Sequence, residues 1–283
     1  MVLTQSARRR FQTALSYVLL LSGAALIMIP LVWMVSTSLK EPSAVYTFPP
    51  KIVPDPVRWS NFPESLTIAP FGRFYVNTTI VTLANIVGHL LSCSLVAFAF
   101  ARLRAPGKNL LFMLVLSTVM IPFYVRMIPL FILYRTFGWL DTLLPLIVPA
   151  FFAGNAFYIF LLRQFFLTIN RELEDAARID GCSTFGVYWR IILPLSQPAL
   201  AMIAVFDFVF NWNDFLGPLI FLNSVRNRTV AVGLAYFQGS LETAPMMHLL
   251  MAAALISIIP VLVLFFFTQR YFIQGIVFTG MKG

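Results

Sequence analysis

Asp207, Asn211 and Asp214 stand at i, i+4 and i+7 within a long apolar run, so a helix there would put two carboxyl groups and an amide on one face. Ionisable groups at membrane depth are costly enough to be presumed functional. Two readings stand: the face lines a pathway or a partner subunit, or it is hydrogen-bonded glue between helices with Asp207 protonated. A second stripe, Thr78, Thr82, Asn85, His89 and Ser92, recurs at helical spacing and forms one seam toward a bundle interior. As a lone histidine, His89 reads as a packed hydrogen-bond donor before it reads as a ligand or proton relay. Arg126 lies about eight residues inside its apolar run, roughly 12 Å at helical rise, too deep for easy snorkelling. It therefore wants an anion. An intramolecular Asp is the plainer partner, and a phosphate or carboxylate on a solute is the sharper one.

The elements that must position these groups follow from composition. With 59% hydrophobic residues, 11% charged residues and a mean hydropathy of +0.85, the chain of 283 residues has too little polar surface for a soluble globule. It reads as one integral membrane domain over 1–283. Six apolar runs near 17–36, 77–101, 110–134, 143–166, 198–222 and 249–268 are each long enough for a helix, and the alternating pattern of a membrane barrel is absent. The fold class is therefore all-α, with six transmembrane helices and a core of about 72–270. The first run follows Arg8-Arg9-Arg10 as a signal peptide would, but it is too long for one and no small-residue cleavage site follows. It is kept as a span.

The net charge of +9 suits a membrane protein with Lys and Arg at its span ends better than a nucleic-acid binder, since no basic cluster exists beyond Arg8 to Arg10. Placing both termini in the cytoplasm puts twelve of the 20 basic residues inside, among them Arg102, Arg104, Lys108, Arg270 and Lys282. The proline-rich outer loop of about 40–73 is then extended from Lys40 through Pro56 and carries a short surface helix or turn over Asn61 to Arg73, with Trp59, Phe71, Phe74 and Tyr75 as headgroup-level aromatics. Pro122, Pro129, Pro145 and Pro149 interrupt the third and fourth runs, and the freed carbonyls must find partners inside the protein. Cys93 and Cys182 read as small apolar packers without disulfide or metal roles.

Between the fourth and fifth runs the chain turns polar. Asn170 is placed as an N-cap, Glu172, Glu174 and Asp175 suit the positive end of a helix, and Gly181 ends it in a left-handed conformation. A second helix from Ser183 or Thr184 presents Phe185, Val187, Tyr188, Trp189 and Ile192 as one apolar face, and Pro194 and Pro198 redirect the chain. The segment 170–194 is a helix-turn-helix hairpin across the inner membrane surface.

This hairpin resembles the signature of the permease subunits of bacterial ABC importers: Glu-Ala-Ala, three residues, Gly, nine residues, Ile, one residue, Leu-Pro. Ala176, Ala177, Gly181, Ile191, Leu193 and Pro194 match in identity and spacing, while Asp175 replaces the leading Glu and Glu174 precedes it. The run Asn211 to Leu219, the segment Val232 to Gly239 and the ending Gln269 to Gly283 are similar to the shorter permease of the carbohydrate importers. The resemblance implies a type I ABC importer-like bundle in a bacterial or archaeal cytoplasmic membrane. It implies a second permease subunit, a pair of ATPase subunits that carry ATP and Mg, and a solute-binding protein. The cargo it implies is a sugar or oligosaccharide, with an anionic solute such as glycerol 3-phosphate as the alternative. Glu174 or Asp175 would then meet the ATPase. The chain itself should bind no cofactor and perform no hydrolysis: it has no Gly-rich phosphate loop ending in Lys-Ser or Lys-Thr, and His89 and His248 lack catalytic neighbours. A simple channel would not require the hairpin.

Overall fold

The computed structural model describes residues 5–239 and 245–280, with side chains for residues 9, 11–239 and 245–269. Every regular element among the described residues is helical. Four of the inside charges expected from the sequence, Arg8, Arg10, Arg270 and Lys282, and the ending past Gln269 lie outside the described side chains.

The chain divides into two compact units, Met1–Ala69 with Leu234–Ile258, and Pro70–Gly233 with Ile259–Gly283. In the first unit α1 (Gln5–Ser38) is apolar over most of its surface and exposed almost throughout, as a helix facing lipid must be. The proline-rich stretch after it has one short 3-10 turn, Pro42–Ala44, before α2 (Asn61–Thr67). Asn61 anchors the turn into that stretch: its buried amide donates to the carbonyls of Ser38 at 2.9 Å and Lys40 at 2.8 Å. Lys40 is itself buried, with its ammonium 4.3 Å from the centre of the Trp33 ring, and that burial pushes its pKa down.

The second unit is organised around α3 (Phe71–Arg102), a helix long enough to cross a membrane with turns to spare. It packs against α7 (Ala156–Thr168) and α11 (Gln197–Asn213). Close approach is possible because Gly88 meets the 148–152 turn directly: a Cβ there would lie 3.0 Å from Ala150 and Phe151. Phe71 and Phe74 do not present their rings outward; both are buried, and Phe74 occupies the space left by the missing side chain of Gly233.

The proline-bearing runs break differently. The third run is not one helix: α4 (Lys108–Ser117), with a 3-10 turn to Met120, and α5 (Phe123–Thr136) are bent 97° apart. Pro122 forces Ile121 into an extended conformation and has no N–H to continue the ladder, whereas Pro129 sits within α5 without ending it. In the fourth run α6 (Leu144–Ile147) takes Pro145 in its first turn, where no N–H is needed, and a 3-10 turn carries Pro149. The chain restarts as α7 only after Ala153 adopts φ 57° and Gly154 passes so close to Pro149 that a Cβ would lie 2.5 Å from its carbonyl oxygen. Asn155 caps α7 by accepting from the N–H groups of Phe157 and Tyr158.

The remaining elements are α8 (Glu172–Ile179), α9 (Thr184–Val187), α10 (Leu193–Leu195), α11, α12 (Leu216–Phe221), α13 (Val230–Leu234) and α14 (Met247–Gly280). By length and composition the described residues hold four helices able to cross a membrane, or up to six if each bent pair is one span.

Candidate functional site

The hairpin begins where Asn170 accepts the N–H of Glu172 at 3.1 Å and donates to that residue's carboxylate at 3.0 Å. Helix α8 follows with three acids in its first turn and Arg178 in its last, matching the helix dipole at both ends. It stops at Gly181, whose φ of +80° is the left-handed corner expected from the sequence. Cys182 donates to the carbonyl of Ala177 and Gly181 to that of Arg178, so the last carbonyls are satisfied by the paired bonds of a Schellman ending. Ser183 starts the next helix, its Oγ accepting from Gly186 N–H at 3.1 Å. Both cysteines are free.

The second half departs from a uniform apolar face. Val187, Tyr188 and Ile192 are fully buried and belong to the same core as Cys93, Phe98, Leu162 and Ile203. Phe185 and Trp189 point the other way, stacked at 6.4 Å between ring centres and more than half exposed. This half is therefore set into the bundle rather than laid across its surface. A π turn over Tyr188–Ile192 makes the fit: Leu193 donates back to Tyr188, five residues earlier, which widens the backbone just ahead of Pro194. Tyr188 closes the attachment with a hydroxyl bond to Ser94 of α3 at 2.7 Å.

The two adjacent acids separate. Glu174 is 6% exposed and its carboxylate lies 2.7 Å from Nε of Arg102, the last residue of α3. The contact is ionic rather than an aligned hydrogen bond. Arg102 also donates through Nη2 to the carbonyls of Phe166 and, at 2.7 Å, of Ile169, where α7 ends. Asp175 is exposed, as are Ala176, Ile179 and Leu173. A cleft of about 460 Å³ opens beside them, lined by Arg102, Arg104, Arg171, Arg178, Asp175 and Thr184 among others.

Deeper in the bundle, Asp207 is 1% exposed and draws together residues from three helices. His89 Nδ1 lies 3.0 Å from its Oδ2, Tyr158 donates to its Oδ1 at 3.4 Å, and Asn211 donates to the same oxygen at 3.0 Å. Every close partner of this carboxylate belongs to a neighbouring helix or to its own, the arrangement of interhelical glue. Asp214 does not share that face. Helix α11 ends at Asn213, so Asp214 falls beyond it and turns to accept from Gly217 N–H at 3.2 Å. The α3 seam ties down broken backbone: Asn85 donates to the Leu146 carbonyl at 2.8 Å and Ser92 to that of Ala150 at 2.6 Å, while Thr78 accepts from Val230 N–H.

Arg126 has no acidic partner within ion-pair distance among the described residues, contrary to the expected intramolecular Asp. The bend at Pro122 places Arg126 in the exposed first turn of α5 rather than within one continuous helix. Tyr158 and Asp141 were not singled out from the sequence, and Arg102 was read only as an inside charge. Asp141 holds φ 59° in the turn before α6 and gathers the 223–227 loop: its Oδ1 accepts from Asn223 N–H, Ser224 N–H and Ser224 Oγ at 3.0, 2.8 and 2.9 Å. An Arg at a span end and an Asp in a turn are ordinary in sequence, and their partners lie dozens of residues away.

Comparison with known proteins agrees with this architecture. Residues 93–277 match the family described as binding-protein-dependent transport system inner membrane component. The arabinooligosaccharides transport system permease protein AraQ of Halalkalibacterium halodurans is 38% identical over 213 residues, 75% of each chain. The sn-glycerol-3-phosphate transport system permease protein UgpE of Yersinia enterocolitica is 32% identical over 276 residues, covering 95% of this chain and 97% of that one. A chain from the crystal structure of a bacterial ABC transporter involved in the import of the acidic polysaccharide alginate superposes with a TM-score of 0.83 at 26% identity, covering 96% of this chain and 99% of its own. This chain is thus a multi-pass membrane protein belonging to the family of inner membrane components of binding-protein-dependent transport systems.

Proposed function

We propose that this chain is one permease subunit of an ATP-driven importer that passes a sugar or oligosaccharide from a solute-binding protein into the cytoplasm. The observation that carries the reading is the hairpin: its signature positions Asp175 and Ala176 are exposed, Gly181 forms the corner, and Ile192 beside the signature Leu-Pro is buried in the bundle. One end is shaped to meet a partner and the other is fixed to the membrane helices. A second permease completes the pathway, and a pair of ATPase subunits binds ATP and Mg. ATP binding closes that pair and displaces the hairpin, turning the bundle from inward- to outward-facing; hydrolysis resets it. The membrane domain spans 1–283 with six crossings, each bent pair counting as one, and with both termini and the hairpin in the cytoplasm. AraQ, named for arabinooligosaccharides, supports the sugar class.

The test is reconstitution of the chain with its partner subunits in liposomes. Solute and its binding protein are expected to stimulate ATP hydrolysis and uptake together. Solute flux through this chain alone, without ATP, would overturn the reading. Supplying neutral and anionic solutes in parallel, with Arg126→Ala beside the parent chain, decides the cargo class: selective loss of anionic uptake would move the assignment from neutral sugars to anionic solutes.

A further inference from the structure

We infer that Arg102 is a positioning residue that makes the hairpin and the membrane helices move as one piece, by holding Glu174 of α8 and the C-terminal carbonyls of α7 from the end of α3. This rests on the reading of the hairpin as the element that meets the ATPase.

Three observations carry it. The Arg102 side chain is 2% exposed and that of Glu174 is 7% exposed, so the contact has little solvent-accessible surface although both residues border the cleft. The guanidinium is shared by geometry: Nε faces the Glu174 carboxylate while Nη2 donates to the carbonyls of Phe166 and Ile169. Three chain segments therefore meet at one rigid, planar group: at the end of α7 it adds a donor to the Phe166 carbonyl, which also accepts from Ile169 N–H, and it takes the carbonyl of Ile169 itself. Finally, the neighbouring acid is free for a different task, because Asp175 is exposed and forms no ion pair among the described residues. Two adjacent carboxylates thus divide the work, Glu174 inward to the bundle and Asp175 outward.

Burying an ion pair is a poor way to gain stability, since apolar residues of similar volume would hold the same elements without desolvating charge. What the arrangement supplies is fixation: charge attraction holds Glu174 to a guanidinium whose Nη2 is itself hydrogen-bonded to the end of α7. Helix α8 packs on the core of its unit through Ala177, and a pull on its exposed face would otherwise tend to hinge it about Asn170 and Gly181. The Arg102 contact blocks that hinge near the first turn, while Tyr188 with Ser94 blocks it beyond the corner.

The experiment uses the complete reconstituted importer and reads solute transported per ATP hydrolysed, with the amount of assembled complex measured alongside. Glu174→Gln and Arg102→Gln are each expected to lower that ratio by roughly fivefold or more, the lower end of ordinary coupling factors, with ATP hydrolysis persisting. The double variant should be no worse than the poorer single one, because one link is being cut. A merely structural role would reduce assembled complex and leave the ratio unchanged, which would overturn the inference, as would independent, multiplying losses. If a variant fails to assemble, the parent sequence still decides: spin labels at Arg178→Cys in the last turn of α8 and at Gln164→Cys, an exposed position of α7, in a chain whose Cys93 and Cys182 are Ser, should keep their separation between nucleotide-free and ATP-trapped states. A changed separation overturns the inference. A parent complex showing no solute-stimulated hydrolysis would instead remove the importer reading itself.

Discussion

Two buried carboxylates hold this bundle together, Glu174 at the base of the hairpin and Asp207 between the helices, and they are built differently. Asp207 is surrounded: His89, Tyr158 and Asn211 all approach it within one layer of packed helices. Glu174 has one strong partner, Arg102, and that partner is shared with the end of α7. The first arrangement resists any relative movement of α3, α7 and α11. The second ties an outlying helix to two of those same helices while leaving its far face exposed. The first carboxylate is enclosed within the bundle, and the second lies where an outlying helix meets it.

The largest effect that would sharpen this contrast is at Asp207. Asp207→Leu leaves the polar groups of His89, Tyr158 and Asn211 facing an apolar side chain, and thermal unfolding of the purified protein should show a loss of about 3 kcal/mol or more. A change under about 1 kcal/mol would mean the cluster is not the tie it resembles. Gly181→Val comes next. A β-branched residue at φ +80° is strained by roughly 1–3 kcal/mol, so α8 should fray at its C-terminus, visible as faster amide exchange at Gly181 and Cys182, while exchange around Asp207 is unaltered.

A smaller, pH-dependent effect is expected outside the spans. Asp141 is held below the ordinary aspartate range chiefly by the Ser224 backbone N–H, with burial opposing and the Ser224 hydroxyl and Asn223 N–H assisting. A depressed folded pKa means that the stabilisation is present above about pH 4 and is lost as the pH falls through the still lower folded value. Exchange at Asn223 and Ser224 should accelerate in that acidic window and not between neutral pH and about 5; Asp141→Ala should show the fast exchange at every pH. The smallest effect on stability belongs to the exposed acid: Asp175→Asn should change unfolding by under about 0.5 kcal/mol yet lower solute-stimulated hydrolysis in the assembled importer. A stability loss as large as that of Glu174→Gln would erase the distinction between the two acids.

What could be read in advance follows the same division. Gly181, Ser183 and the acids of α8 act through local backbone geometry and the helix dipole, so residue type and spacing sufficed to place them. The stripe from Thr78 to Ser92 was legible as a seam, although its partners, the carbonyls of Leu146 and Ala150, were not. Asp214 looked like a third member of the Asp207 face until α11 was seen to end one residue before it, and Arg126 was read into one continuous helix that breaks at Pro122. Four prolines in two runs gave no way to choose among them: Pro122 breaks its helix and Pro129 does not.

The sequence alone determined the helical class, the membrane environment and the hairpin with its corner, because hydropathy, capping and glycine's left-handed freedom are properties of short stretches of chain. Only the tertiary structure decided which carboxylate turns inward, which arginine meets it, and that Val187, Tyr188 and Ile192 sink into the core while Phe185 and Trp189 stay outside. Those outcomes depend on contacts between residues dozens of positions apart, and no local preference distinguishes Glu174 from Asp175 until α3 and α7 are packed beside them.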